Sequence, residues 1–416
     1  MNLYAALPIM NEPNVEKTIQ QILAQTQPPS ALYICVNQPE VYKTDPKKRH
    51  IFEQNQKTIL QIRKNFAVGT DYPPLAGGRG VGFPLLVRTP TPVPSGHPRQ
   101  RGIMVHIIDR STIGWDTKNY GVGMARKILM DTINEIATPE DVIISLDADT
   151  EYPPTYFESV SKIFETRRGR KSSTPTVALS NPYYHRLTGR EAEDRAILRY
   201  EIYMRCYHQN LVRIGSPYAF TALGSAMAVR VEAYRKIGGM APKKSGEDFY
   251  FLQQLSKIGT VITENQITVY PATRLSDRVF FGTGPALIKG IEGNWASYPI
   301  YAPKLWDEVA KIYQNFENYF LPDDYQKLKS NSKTEAQLQK FCHEKFDALR
   351  TLQYLKSKHA ETSQSDERNL KENLRQFNIS IDLPSDFSFE TAKIEFLDEI
   401  RNKLYKKTGE KTHLAT

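Results

Sequence analysis

Through the first 150 residues, short apolar runs alternate with stretches whose apolar positions recur every three or four residues. Residues 3–7 read as a strand, and after Asn14 a helix follows with Val15, Ile19, Ile22 and Leu23 on one face. Residues 32–36 give the next strand and 51–66 the next helix. Then come a strand at 104–108, an amphipathic helix at 122–136, and a strand at 142–146 that runs straight into acidic residues. Such alternation predicts an α/β fold, a mostly parallel sheet covered by helices on both faces. Ligands of these sheets bind beyond the carboxyl ends of the strands, so the residues that follow each strand deserve inspection first. Further on, 223–229 reads as a strand entered through Gly224. Residues 245–249 open a helix whose apolar face is Phe249, Leu252, Leu255 and Ile258, stopped by Gly259.

Two regions break this rhythm. Between 67 and 101, 7 Pro and 6 Gly fall within 35 residues, which predicts an irregular inserted loop, either a lid or a disordered insertion. Its glycine run at 77–82 matches neither phosphate-binding glycine pattern, because no Gly-Lys-Ser/Thr follows and no strand leads in. From about residue 303, Glu, Lys, Gln, Asn and Leu dominate, with helical period at 335–358 and 391–405. The expected organisation is therefore a domain over 1–302 and a helical C-terminal region over 303–416.

Composition narrows the classes. At 416 residues, 40% hydrophobic and 24% charged, the chain reads as globular rather than disordered. No run approaches the roughly 18 apolar residues of a membrane span. No secretory pattern opens the sequence, so a cytoplasmic protein is expected, with a peripheral contact at the inner membrane surface left open. The cysteines Cys35, Cys206 and Cys342 are too few and too scattered for a disulfide framework or a zinc site. Of the net charge of +9, none comes from 303–416, which holds 19 basic and 19 acidic residues. The surplus in 1–302 suits an anionic ligand or is a mild bias of a solvated surface. No basic–aromatic interleaving points to nucleic acid.

The sharpest chemical signal is Asp147–Ala148–Asp149 after the apolar run at 142–146. If strand geometry persisted, both carboxylates would point the same way, and two carboxylates aimed at one point call for a cation such as Mn²⁺ or Mg²⁺. An acidic turn closing a strand is the plainer alternative. Pro8, Asn11 and Glu12 follow the first strand, and Asn37 the second. Lys118 and Arg126 flank the start of the helix at 122–136, where Gly121 and Gly123 leave room for close approach and helix N–H groups attract anions. Gly246–Glu247–Asp248 opens a helix, where acidic residues also serve as ordinary capping chemistry.

In this order, the Pro-x-x-Asn-Glu opening (Pro8, Asn11, Glu12), Gly-x-Ala-Arg (Gly123, Ala125, Arg126), Asp-x-Asp (Asp147, Asp149) and Gly-Glu-Asp (Gly246 to Asp248) resemble family-2 glycosyltransferases of the GT-A fold. The resemblance runs from Ala6 to about Tyr301. It implies a GT-A-like nucleotide-sugar-binding domain and an inverting transfer from a nucleotide-diphosphate sugar to a saccharide or lipid-linked acceptor hydroxyl. It also implies that Pro8, Asn11, Glu12, Asn37, Lys118, Arg126 and Asp147 lie at the donor, with Asp147 and Asp149 on Mn²⁺ or Mg²⁺. Asp248 is implied as the catalytic base, with Glu247 positioning it or binding the acceptor; Arg274 and Arg278 are candidates for phosphate or acceptor. The sequence departs from the family at three points. Asn37 stands where an Asp is usual, the Gln-x-x-Arg-Trp motif of processive members is absent, and a late metal-binding His has no counterpart.

Three rivals share parts of this pattern. A sugar nucleotidyltransferase needs a glycine-rich, Arg-containing loop after the first strand, and a dinucleotide-dependent oxidoreductase needs its glycine fingerprint there; 7–11 supplies neither. A catalytically silent sugar- or lipid-headgroup-binding protein of the same fold would have no use for all of Asp147, Asp149, Glu247 and Asp248.

Overall fold

The apolar runs of the first half become the strands of one sheet, and the amphipathic stretches become its covering helices. The computed structural model describes residues 1–66, 68–72, 103–116, 121–166, 175–263, 267–275, 282–362 and 364–409. These divide into two compact units: 1–186 with 222–272, and 187–221 with 273–416.

The first unit is built on eight strands: β1 (Leu3–Ile9), β2 (Ala31–Pro39), β3 (Val68–Tyr72), β4 (Met104–Trp115), β5 (Val142–Ser145), β7 (Thr176–Ser180), β8 (Met227–Arg230) and β9 (Thr260–Ile262). Their order is β3-β4-β2-β1-β5-β8-β7-β9. Neighbours from β3 to β5 are parallel, as are β7 and β9, while β8 runs antiparallel between β5 and β7. The mostly parallel α/β fold read from the sequence is the fold observed. All nine residues of β2 are buried, which is why its run shows no alternation. Helices α1 (Val15–Leu23), α2 (Arg49–Asn65), α3 (Val122–Ile136) and α4 (Tyr156–Thr166) bury apolar stripes such as Ile51, Ile59 and Ile62. A short antiparallel pair, β6 (Thr150–Glu151) with β10 (Tyr270–Pro271), lies just past β5.

Three local expectations need correction. Residues 68–72 open the Pro/Gly-rich segment yet form edge strand β3; they contain no Pro, and composition averaged over 35 residues concealed them. The rest of that segment, 73–101, lies outside the described residues. The strand expected from 223 starts only at Met227, because 224–226 form a 3₁₀ turn in which the Gly224 and Ser225 carbonyls take side-chain donors instead of a ladder. Helix α7 (Glu247–Ser256), which follows the short α6 (Val231–Lys236), buries Phe251, Leu252 and Leu255, while Phe249 stays half-buried.

The second unit is helical: α5 (Glu191–Arg213), α8 (Thr283–Ile291), α9 (Pro303–Gln314), α10 (Pro322–Ser330), α11 (Glu335–Lys345), α12 (Ala348–Ala360), α13 (Asp366–Gln376) and α14 (Ile394–Gly409). The helical period at 335–358 resolves into two helices, because the Asp347 side chain caps α12 by accepting the Arg350 N–H at 3.1 Å. The core of this unit carries ion pairs as well as aromatic rings. Glu201, fully buried, accepts from Arg205 at 2.7 Å and lies 3.7 Å from Arg401, which is itself paired with Asp398. Asn369 and Asn373 of α13 donate to the carbonyls of Ile300 and Tyr301, both at 2.8 Å, and so fix an extended segment along the helix.

Burial in this unit also makes stability pH-dependent. Burial, together with the Arg205 charge, pushes the His208 imidazole down to about 4, and burial pushes His343 down to about 4. Both rings fold neutral, whereas unfolded they titrate near 6.5. The unfolded chain therefore binds more protons between these values, and stability is lost as pH falls from about 6.5 to about 4. Urea midpoints across that range are expected to fall more shallowly for His208→Gln and His343→Leu than for the wild type.

Candidate active site

The carboxyl ends of β1, β2 and β4 are tied together by side-chain amides. Asn55 sits on the buried stripe of α2; its Oδ1 accepts the Asn11 N–H at 2.9 Å, and its Nδ2 donates to the Asn37 carbonyl at 3.1 Å and to Gln38 Oε1. Asn37 donates to the Ile9 carbonyl at 2.9 Å and Gln38 to the Ser111 carbonyl at 2.7 Å. Asn11 takes φ 57°, a left-handed conformation that Asn tolerates better than most side chains. Pro8 falls beyond the last β1–β5 pair, on the side where Ala6 accepts the Leu146 N–H, so the ladder loses no donor there. Glu12 follows this corner and is buried, and Asn37 is 3% exposed with its amide engaged as a brace.

Beyond β5, Asp147–Ala148–Asp149 form a turn rather than a continuation of the strand. Three contacts hold it: Tyr152 Oη accepts the Asp147 N–H at 2.9 Å, Thr18 Oγ1 donates to the Ala148 carbonyl at 2.6 Å, and the Ala272 N–H donates to the Asp149 carbonyl at 3.0 Å. With its backbone fixed on both sides, the turn holds Asp147 and Asp149 half-buried and close enough for the Asp149 charge to act on Asp147.

Arg126 joins this turn to the first turn of α7. It is 2% exposed. Its Nε donates to Glu247 Oε1 at 3.0 Å and its Nη2 to Asp147 Oδ1 at 2.6 Å, while Nη1 reaches Ser145 Oγ and the Gly224 carbonyl at 2.9 Å. Two glycines make room. A Cβ on Gly224 would lie 2.2 Å from Arg126 Nη2, and one on Gly123 would lie 2.1 Å from the Lys243 carbonyl. The close approach that Gly123 permits is thus to the chain's own 243–247 segment. Gly246, at φ 70°, turns that segment into α7 and brings Glu247 and Asp248 in with it.

Asp147, Glu247 and Asp248 therefore act on one guanidinium, and Asp149 lies beside Asp147. Burial pushes Glu247 up to about 7, reinforced by Asp248. Burial pushes Asp147 up to about 6, with Arg126 opposing and Asp149 reinforcing. Asp248, half-buried, is raised by burial too, again against Arg126. The guanidinium is held protonated against its own burial by Asp147 and Glu247. Among the described residues, no group of three or more His, Cys, Asp or Glu forms a protein-only metal cage. Hard carboxylate oxygens from Asp147 and Asp149, in a cluster with surplus negative charge, fit a Mn²⁺ or Mg²⁺ ion completed by phosphate oxygens and water.

Not every expected residue joins this cluster. Pro8, Asn11, Glu12 and Asn37 lie at the neighbouring strand ends. Lys118 and Arg278 lie outside the described residues, and Arg274 belongs to the second unit. Sequence reasoning passed over Ser145, Gly224, Tyr152, Asn55 and Gln38. Two of these left a trace: Ser145 is a polar residue inside an apolar run, and Asn55 occupies an apolar-stripe position of α2.

No family model matches the sequence, and no curated protein matches it. Among solved structures, the chain is similar to S. aureus TarS 1-349 in complex with UDP-GlcNAc, at 11% identity and a TM-score of 0.40 over 99% of this chain and 91% of that one. It is also similar to the mannosyltransferase PcManGT from Pyrobaculum calidifontis in complex with GDP-Man and Mn²⁺, at 11% identity and a TM-score of 0.39 over 98% of this chain and 85% of that one. Likenesses at this level say nothing by themselves about what this chain binds.

Removing one partner of a buried ion pair leaves an uncompensated charge and typically costs about 3–5 kcal/mol. Arg126→Met is expected to lose an amount of that order in urea unfolding. Adding Glu247→Gln should recover part of the loss, because one of the stranded carboxylates is then neutral.

Proposed function

We propose that this chain is a non-processive glycosyltransferase. In this reading it transfers a sugar from a nucleoside-diphosphate sugar to an acceptor hydroxyl of a saccharide or lipid-linked molecule, with inversion, in glycan or glycolipid synthesis. The observation that carries this reading is the convergence of Asp147, Glu247 and Asp248 on Arg126, with Asp149 beside Asp147, beyond the carboxyl end of β5.

Each member of the cluster has a separable task. Asp147 and Asp149 would hold the divalent ion, which when bound neutralises charge on the leaving diphosphate. Arg126 spends its donors on the protein, so its part is to fix Asp147 and Glu247 at a set spacing. Glu247, buried and tied to Arg126 Nε, is a positioning residue for its neighbour. Asp248, half-buried and raised toward neutrality, is the base: it takes the proton from the attacking hydroxyl oxygen as the bond to the anomeric carbon forms. Pro8, Asn11, Glu12 and Asn37 would shape the wall against the nucleoside, on the corner that Asn55 braces. A silent binding protein would gain nothing from the destabilising charge excess that this cluster keeps.

A panel of nucleotide sugars assayed for Mn²⁺-dependent donor hydrolysis tests the class and identifies the donor. No turnover with any donor, with or without metal, would falsify it. Asp149→Asn should abolish Mn²⁺-dependent binding of nucleoside diphosphate in calorimetry while raising the metal-free thermal midpoint, because one repulsive charge is gone. Asp248→Asn should leave donor KM near wild type and lower kcat by about 10² to 10⁴, the usual worth of general-base assistance. Glu247→Gln should lower kcat less and raise acceptor KM. The roles are exchanged if Glu247→Gln is the variant that stops turnover.

A further inference from the structure

Helix α2 buries Ile51, Asn55, Thr58, Ile59 and Ile62 on the side that meets β2 and β4. On its opposite side Leu60 is 65% exposed. Helical spacing surrounds this leucine with Gln56 and Lys57 one turn before it and Arg63 and Lys64 one turn after. Arg49 pairs with Glu53 at 3.1 Å, whereas Lys57 and Lys64 make no ion pair among the described residues. Two more apolar side chains adjoin this face. Gln56 donates to Ser111 Oγ at 3.0 Å, near the end of β4, and Ile113, two residues on, is 44% exposed. Gly114 then lies against Glu40, where a Cβ would meet the Glu40 nitrogen at 2.5 Å, and the Glu40 carboxylate accepts the Gly114 N–H. That contact leaves Val41 outward, at 45% exposure.

The charges around these side chains are mostly positive. Residues 40–64 hold seven Lys and Arg against Glu40, Asp45 and Glu53, and Asp116 is the one acid in 111–116, so three positive charges are in surplus. Three of the four acids are also engaged: Glu40 with Lys43 at 2.7 Å, Glu53 with Arg49, and Asp45 with the Lys47 N–H at 2.9 Å. A soluble polyanion would use the lysines and leave the apolar side chains in water. An anionic bilayer surface takes both, offering phosphates to the cations and an acyl boundary to the leucine. We propose that the outward face of α2, with Val41 and Ile113 beside it, docks on an anionic lipid surface, Leu60 entering the acyl boundary and Lys57 and Lys64 meeting headgroup phosphates. Exposure alone does not make such a site. Leu321, between α9 and α10, is 71% exposed, yet Glu317 and Asp323 flank it.

Co-sedimentation of the full chain with vesicles tests this without nucleotide or metal, so failure here leaves the transfer reading intact. Wild-type protein is expected to partition onto vesicles of phosphatidylcholine with phosphatidylglycerol, and about 25-fold less onto phosphatidylcholine alone, since each of two basic residues at an anionic surface is worth about fivefold. The double variant Lys57→Gln/Lys64→Gln should lose about 25-fold on the mixed vesicles for the same reason. Leu60→Gln should lose about tenfold there, because each methylene withdrawn from the acyl boundary is worth about fourfold. Leu321→Gln should sediment like the wild type. All these positions are exposed, so circular dichroism and the thermal midpoint should stay as in the wild type. The proposal fails if wild-type protein stays in the supernatant with both vesicles, if Leu60→Gln sediments like the wild type, or if Leu321→Gln loses as much as Leu60→Gln. It fails equally if retention on heparin requires Lys57 and Lys64 while vesicle binding is absent, which would make a soluble polyanion the occupant.

Discussion

A single buried guanidinium sets the geometry of the first unit's chemistry. Arg126 reaches Ser145 at the end of β5, Asp147 in the turn beyond it, the Gly224 carbonyl before β8 and Glu247 at the start of α7. These groups lie up to 121 residues from Arg126 in the chain. A planar fork with five donors can satisfy such a set, whereas an ammonium with three could not. Because the group is buried, each of these hydrogen bonds acts in a low dielectric, and each unmade one would carry the full desolvation cost. The carboxylates therefore have little freedom to move apart, although their charges repel.

That constraint explains why the cluster is both tense and ordered. Burial above all, reinforced by the neighbouring charges of Asp149 and Asp248 and opposed by Arg126, makes Asp147 and Glu247 bind protons more readily than free side chains do. In an ordinary core this would be a fault to be repaired by substitution. In the proposed function, the excess would be a store of affinity for the divalent ion. The structure around it is correspondingly rigid: the Asp-x-Asp turn is pinned by Tyr152, Thr18 and Ala272, and the adjoining strand ends are locked by the Asn55 amide network. In the proposed function, preorganisation of this kind would place charges before the substrate arrives, so that little rearrangement is needed as charge develops on the leaving group.

The second unit solves a different problem with similar means. Its helices bury Arg199, Glu201, Arg205 and Arg401, and each is matched by a carboxylate, a guanidinium or an aromatic face. Side-chain amides of α13 then serve the backbone of an extended segment that has no strand partner. Here charge is balanced, in contrast to the excess held around Arg126.

Apolar runs were enough to read β1, β2, β4 and β5 from the sequence, because strands inside a covered sheet are buried on both faces, and apolar periodicity was enough to read α1, α2 and α3, because burial of one face imposes that period locally. Asp147, Asp149, Glu247 and Asp248 could also be read, since each follows directly on a strand or opens a helix. Other features had no local signature. Strand β3 exists because β4 offers it an edge, and Gly224 and Ser225 leave the ladder because Arg126 and Tyr152 claim their carbonyls. The grouping of Glu191–Arg213 with the C-terminal helices depends on packing partners more than 80 residues away, such as Asp307 for Arg213 and Asp366 for Arg199. The part played by Arg126 shows the limit most clearly. Its place beside a glycine-spaced helix start suggested a cation for phosphate, whereas the fold directs its donors to the protein's own groups. Residue type and spacing fix what a side chain is able to bind; only the tertiary structure decides which partner reaches it first, because hydrogen-bond donors removed from water must be satisfied by whatever the fold brings within 3 Å.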